Sequence, residues 1–280
     1  MRINNNITAL NSHRNYTING GRLGGNIERL SSGFRINRAA DDAAGLAISE
    51  SMRTQIRGLR MASRNAQDGI SLVQTAEGAL QSSHNILQRI RELTIQAASD
   101  VNEDGATNER GMIQTEINQL LSEIGDISVE TEFNGQAILD GTLTAFEIQV
   151  GANEGQIIEI NLVNLSAIHA TLAGAIGNNI GMTGSTVSAI SALVSNIDVA
   201  IDAVSLARAT LGAQQNRLEF KIQNLDNTAE NLQAAESRIR DTDMAAAMTE
   251  FTRNNIMFQA STAMLAQANA MPQSVLQLLG

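Results

Sequence analysis

Histidine, paired carboxylates and cysteine are the side chains most often recruited for proton transfer, metal ligation and nucleophilic attack. This chain gathers none of them into a set. His13, His84 and His169 are scattered, and no His-Glu-x-x-His spacing places two on one helix face. Asp41 and Asp42 are adjacent, but no base or ligand set accompanies them. Their position before Ala43 predicts a helix cap, where the positive end of the dipole favours anions. Cysteine is absent, which removes disulfides, thiolate metal sites and cysteine nucleophiles together. Serine and threonine read as solvent-facing hydroxyls. Met244, Met248, Met257 and Met264 read as gap-filling residues of a helix interface rather than ligands. The residues predict no enzyme, no metal and no cofactor.

The chemistry that remains is burial of apolar surface at regular spacing. Phe251, Phe258, Leu265 and Leu279 recur at multiples of seven, with Met248 and Leu276 three residues before the first and last. Leu23, Ile27, Leu30 and Phe34 step by four, three and four, and Ile3, Ile7 and Leu10 form an earlier stretch out of phase with them. Stripes at that period want a partner helix, so the two ends are predicted to pair with each other.

The elements between the ends follow from the same periodicity. The sole proline is Pro272, so helices can be long. One runs from Ile190 through Val194, Ile197, Ile201, Val204, Leu211, Leu218, Ile222, Leu225 and Leu232 to Ile239, with Arg208, Gln215 and Glu236 at polar seam positions. A first-half counterpart carries Leu59, Ala66, Val73, Leu80 and Leu87, and a shorter helix carries Ile113, Ile117, Leu120, Ile124 and Ile127. Three such helices predict an antiparallel bundle. Between about residues 128 and 165 the period changes to two. Asn134-Gly135 supplies a tight turn, and Phe146, Ile148 and Val150 precede a glycine-bearing turn before Ile158, Ile160 and Leu162. Gly174, Gly177, Gly181 and Gly184 read as a loop into the long helix. The fold class is mainly α: a long antiparallel helical bundle or coiled coil with a small β-hairpin region inserted mid-chain.

Charge narrows the partners. The net charge is -10, yet residues 1–40 hold six arginines against Glu28, and residues 99–160 hold thirteen acids against Arg110. The basic end has only Tyr16 and Phe34 for base stacking, so its arginines are expected to flank a helix seam and meet acids of a partner, not nucleic acid. No run of about 18 apolar residues occurs, and the start, with Arg2, Asn4, Asn5 and Asn6, lacks the apolar core of a Sec signal. No membrane partner is expected, and export would use another route.

Longer motifs carry a family resemblance. Met1-Arg2-Ile3-Asn4-Asn5-Asn6-Ile7-Thr8-Ala9-Leu10, Leu30-Ser31-Ser32-Gly33 and the run from Arg35 to Ser49 resemble bacterial flagellin. So do Glu236 to Ala245, Ala263 to Asn269 and Pro272 to Leu276. The resemblance they carry extends over about two thirds of the chain; the middle is too short for the separate outer domains of larger flagellins.

The resemblance implies a structural subunit that self-assembles into the helical flagellar filament used for swimming. Residues 1–44 and 240–280 would pair as an inner coiled-coil domain at the filament core, and 45–239 would form a rod-like outer domain. The assembly seams would be Leu23, Ile27, Leu30, Phe34, Met248, Phe251, Phe258, Leu265, Leu276 and Leu279. It also implies an extracellular location reached by the flagellar type III pathway without a cleaved signal peptide, a homopolymer, and contacts with an export chaperone, the filament cap and junction proteins. Arg89, Leu93 and Glu116 match the patch by which toll-like receptor 5 recognises many flagellins. Three alternatives are a hook-filament junction protein, a flagellin carrying a metalloprotease insert, for which the zinc motif is missing, and a membrane-surface coiled coil. The termini are expected to be disordered in the monomer and helical in the filament.

Overall fold

The computed structural model describes residues 6–99, 108–177, 180 and 187–279, apart from the side chains of residues 187 and 272–279. In chain order the elements are α1 (Ile7–Ser32), α2 (Ala43–Ala97), α3 (Glu109–Glu130), β1 (Glu132–Phe133), β2 (Gln136–Ala137), β3 (Ala145–Gln149), β4 (Ile157–Asn161), α4 (Leu165–Ile176), α5 (Val187–Arg240) and α6 (Met244–Leu279). The chain forms two compact units, one of residues 1–56 with 230–280 and one of residues 57–229.

The unit of residues 57–229 holds a continuous aliphatic core. The row Leu59, Ala66, Val73, Leu80 and Leu87 on α2 is buried throughout, and so is the row Ile190, Ile197, Val204, Leu211, Leu218 and Leu225 on α5. Heptad spacing keeps each row on one face, and the faces meet. Arg91 Nε donates to Asp198 Oδ1 at 2.6 Å, and Arg208 pairs with Glu77 at 3.6 Å. Moving back along α2 thus moves forward along α5, so the helices are antiparallel. By length and composition α5 could cross a membrane, with an 18-residue window of mean hydropathy 1.6. Its apolar row is spent on this core.

Helix α3 returns antiparallel to α2. Ile113, Ile117, Leu121 and Ile124 enter the core, with Leu120 and Ile127 half-buried. Arg110, 4% exposed, donates through Nε to Ala97 O at 2.9 Å and through Nη2 to Ser99 O at 3.1 Å. A buried cation thereby satisfies carbonyls at the negative end of α2.

The two hairpins form as the spacing predicts. β1 and β2 pair around Asn134 and Gly135, whose φ values of 53° and 75° are the pair a tight twisted hairpin turn requires. β3 and β4 pair antiparallel with Ile148 opposite Ile158, and Ile148, Ile158 and Ile160 are buried. Gly69 of α2 makes this fit possible: a Cβ there would stand 2.3 Å from Ile148 Cδ1.

One expectation is corrected. Residues 165–176 are helix α4, not the start of a glycine loop, and Gly174 sits inside it. Asn164 Oδ1 caps it by accepting from Ala167 N at 2.8 Å, and Leu165, Leu172 and Ile176 are buried. Burying an aliphatic side chain gains roughly 1.5–3 kcal/mol, which exceeds the ~1 kcal/mol cost of one helical glycine. Gly177 ends the helix, and Gly181 and Gly184 lie outside the described residues.

Candidate functional site

The unit of residues 1–56 and 230–280 is built on α1 and α6. Heptad spacing of half-buried and buried positions marks the seam: Ala9, Ser12, Tyr16, Asn19, Leu23, Asn26 and Leu30 on α1, and Ala247, Phe251, Asn254, Phe258, Ser261, Leu265 and Ala268 on α6. The helices run antiparallel. Asn6 Nδ2 donates to Ala268 O at 2.9 Å, Asn19 Nδ2 donates to Ser261 Oγ at 2.7 Å, and Tyr16 lies against Phe258 with ring centroids 4.9 Å apart. Small and polar residues alternate with large ones along this seam. Polar seam residues fix register at a cost in stability.

At the far end of the pair a corner locks the two chain segments together. Phe34 and Asp241 form a β-bridge; Arg35 N donates to Arg240 O at 2.7 Å and Thr242 N to Gly33 O at 2.9 Å. The Arg240 guanidinium lies 4.8 Å from the Phe34 ring centroid and donates to Glu50 Oε1 at 2.8 Å. Gly33 closes α1 in the left-handed region, φ 74°, where glycine is favoured. Asp243 Oδ1 caps α6 through Ala245 N and Ala246 N at 2.9 and 3.1 Å.

Asp42 takes the capping role expected of the pair, whereas Asp41 does not cap α2 and instead braces the turn before it. Asp42 Oδ1 accepts from Gly45 N at 2.9 Å at the start of α2, and Asp41 Oδ2 accepts from Arg38 N and Asn37 N at 3.0 and 3.1 Å. Those two backbone bonds hold the Asp41 carboxyl below its ordinary range.

The structure sorts the sequence-derived seam residues. Leu23, Leu30, Phe251, Phe258 and Leu265 face the partner helix, and Phe34 sits in the corner. Ile27 and Met248 are about half exposed and lie off the intrachain seam; Asn26 and Ala247 hold their places. Side chains of Leu276 and Leu279, and all of Ile3, lie outside the described residues. Among the described residues of the pair, ten large apolar side chains are exposed: Ile7, Leu10, Ile18 and Ile27 on α1, and Met244, Met248, Ile256, Met257, Met264 and Met271 on α6. Periodicity alone reports apolar stripes but not which of two stripes meets the partner within the chain.

In the other unit, Arg89 Nε and Nη2 donate to Glu116 Oε1 at 3.2 and 2.9 Å, and Arg89 also reaches Glu92 at 3.4 Å. The bond to Glu116 holds the guanidinium charged above its ordinary range. Both partners are exposed. Leu93, grouped with them by resemblance, is 2% exposed and packs inward. His84 sits beside Gln88, and no group of three His, Cys, Asp or Glu side chains able to hold a metal occurs among the described residues.

A helix pair buried on one face and apolar on the other is the build of a protein that associates with copies of itself. The bacterial flagellin N-terminal helical region matches residues 3–144, and the bacterial flagellin C-terminal helical region matches residues 194–279. A flagellin of Halalkalibacterium halodurans is 56% identical over 281 residues, with 100% of each chain covered. A flagellar filament 30.7 kDa core protein of Treponema maltophilum is 42% identical, again over 100% of both. A solved flagellar hook-associated protein of Vibrio parahaemolyticus aligns with a TM-score of 0.58 over 72% of this chain and 100% of its own; at 14% identity it shares the fold alone. This chain belongs to the bacterial flagellin family. It is a structural subunit of the flagellar filament, an extracellular polymer of such subunits used for swimming, and nothing in these relatives favours the hook-filament junction reading.

Proposed function

We propose that the subunit polymerises through the outward faces of α1 and α6, with residues 1–44 and 240–280 forming the filament core and residues 45–239 the outer rod. The observation that carries this is the set of ten large apolar side chains exposed on a helix pair that covers only one face of each helix. Removing them from water gains on the order of 10 kcal/mol per subunit at about 25 cal/mol per Å², enough to offset the freedom lost on association. A contact that joins different faces head to tail and does not close produces a helical fibre. The seams on which assembly depends are then Leu23, Ile27, Leu30, Phe34, Met248, Phe251, Phe258, Leu265, Leu276 and Leu279.

Export unfolded through a narrow type III channel fits a chain without cysteine, because no disulfide must be broken or formed on the way. An export chaperone would cover the same apolar faces before assembly, and the cap and junction proteins would meet them at the filament ends. Toll-like receptor 5 would read the exposed Arg89 and Glu116 pair, with Leu93 holding that helix face from inside.

Electron microscopy of purified chain added to short filament seeds tests the assembly reading. Long filaments from the full chain and none from a version lacking residues 240–280 are expected; equal growth from both would remove α6 from the mechanism. For the receptor, Arg89→Ala monomer should activate signalling at least tenfold less than wild type, and unchanged activation would remove that patch.

A further inference from the structure

Four glycines fall inside α1: Gly20, Gly21, Gly24 and Gly25. Each mid-helix glycine lowers local helix stability about fivefold relative to alanine, through backbone entropy. Gly20 faces the seam within the chain, where a Cβ would stand 3.4 Å from Phe258 Cε2, an ordinary contact. Gly21, Gly24 and Gly25 have nothing within 4 Å of where a Cβ would stand. Nothing inside the subunit requires them.

Their placement is not random. At about 100° per residue, Gly21 and Gly25 share a face with the exposed Ile7 and Ile18, on the side of α1 opposite Tyr16, Leu23 and Leu30. Glycines four apart remove side chains from the centre of a helix face, so that another helix backbone can come close. Beside Gly25 lies a groove of about 340 Å³ lined by Arg22, Asn26, Arg29, Glu250, Arg253 and Asn254. Asn26 is 7% exposed and its Nδ2 has no hydrogen-bond partner among the described residues. A buried donor of this kind ordinarily has an acceptor. Three arginines against one glutamate make the groove basic, in a chain whose acids outnumber its bases 29 to 19.

We propose that Gly21 and Gly25 form a close-approach site for a helix of a second copy of this chain, and that a carboxylate on that helix enters the groove to meet Asn26 Nδ2 and the arginines. The second copy is the occupant because the glycine face is continuous with the apolar stripe through Ile7 and Ile18, and because the chain's excess acid complements the groove. The proposal rests on the filament reading and adds where on α1 a neighbour's backbone comes nearest.

The test is seeded filament elongation by full-length Gly21→Ala/Gly25→Ala, with Gly78→Ala in α2 as control, since Gly78 also faces open space in mid-helix. Alanine favours the helix, so circular dichroism of the free double variant should show equal or greater helicity. Elongation should nevertheless slow at least tenfold, and Gly21→Leu/Gly25→Leu should abolish it, while Gly78→Ala elongates like wild type. Asn26→Ala and Arg29→Gln should each slow elongation severalfold and weaken its salt dependence. Wild-type elongation by both the alanine and the leucine double variants would overturn the proposal and leave the filament reading standing. A wild-type chain that adds to no seeds would remove the filament reading and this inference with it.

Discussion

The bundle of residues 57–229 and the pair α1 with α6 use the same heptad grammar to different ends. In the bundle, Leu80, Leu87, Ile117, Ile197 and Val204 are at 0% exposure, and three helices with a hairpin close around them. In the pair, the seam is interrupted by Ser12, Asn19, Asn26, Asn254 and Ser261, and ten large apolar residues face outward. Two helices cannot enclose a core, because each has more apolar circumference than one neighbour can cover. The bundle encloses a core within the monomer; in the proposed assembly, neighbouring subunits complete the pair.

The sharpest way to break this comparison is amide exchange. In verified monomer, residues 59–94 should exchange about a thousandfold or more slower than residues 10–30 and 247–268, and assembly should close most of that gap. Equal protection of both regions in the monomer would contradict it. Leu80→Ala or Leu87→Ala should lower subunit stability by about 3 kcal/mol in urea melts, the cost of a fully enclosed cavity. Phe258→Ala should cost the free subunit a minor part of that, yet prevent filament growth. Arg110→Leu should cost ~1–3 kcal/mol, because it strands the buried carbonyl of Ala97 and removes the bond to Ser99 O; a melt unchanged from wild type would sink that role. Ile256→Gln and Met264→Gln should move subunit stability by less than about 0.5 kcal/mol while raising the critical concentration for assembly at least tenfold.

The smallest expected effect is the pH response of the turn before α2. The Asp41 carboxyl is held below its ordinary range by the N–H groups of Arg38 and Asn37, so its contribution is present above the unfolded value near ~4 and disappears as pH falls through the lower folded value. The difference in melting temperature between wild type and Asp41→Asn should be present at pH 6 and shrink progressively as pH falls below about 4. A difference independent of pH would assign the effect to shape rather than charge.

Much of this was legible in the sequence because it is local. The rows Leu59 to Leu87 and Ile190 to Leu225 lie where a 3.6-residue repeat puts them, and Asn134-Gly135 makes the turn its residue types demand. The Asp42 cap and the flagellin motifs needed no partner to be read. Helix α4 was missed because glycine punctuation outweighed Leu165, Leu172 and Ile176, whose spacing was the available signal. Arg110 carried no signal at all; its role depends on the carbonyl end of a different helix.

What the amino-acid sequence determined by itself is therefore the set of long helices, the hairpins between them and the membership in the flagellin family. Only the tertiary structure decided which stripe of α1 meets α6, that Asn26 and Ala247 rather than Ile27 and Met248 take the seam, that Leu93 turns inward, and that Gly21 and Gly25 face open space. The physical reason is that periodicity records that a helix face is apolar, whereas the rotation and register of one helix against another are set by close packing between residues far apart in the chain.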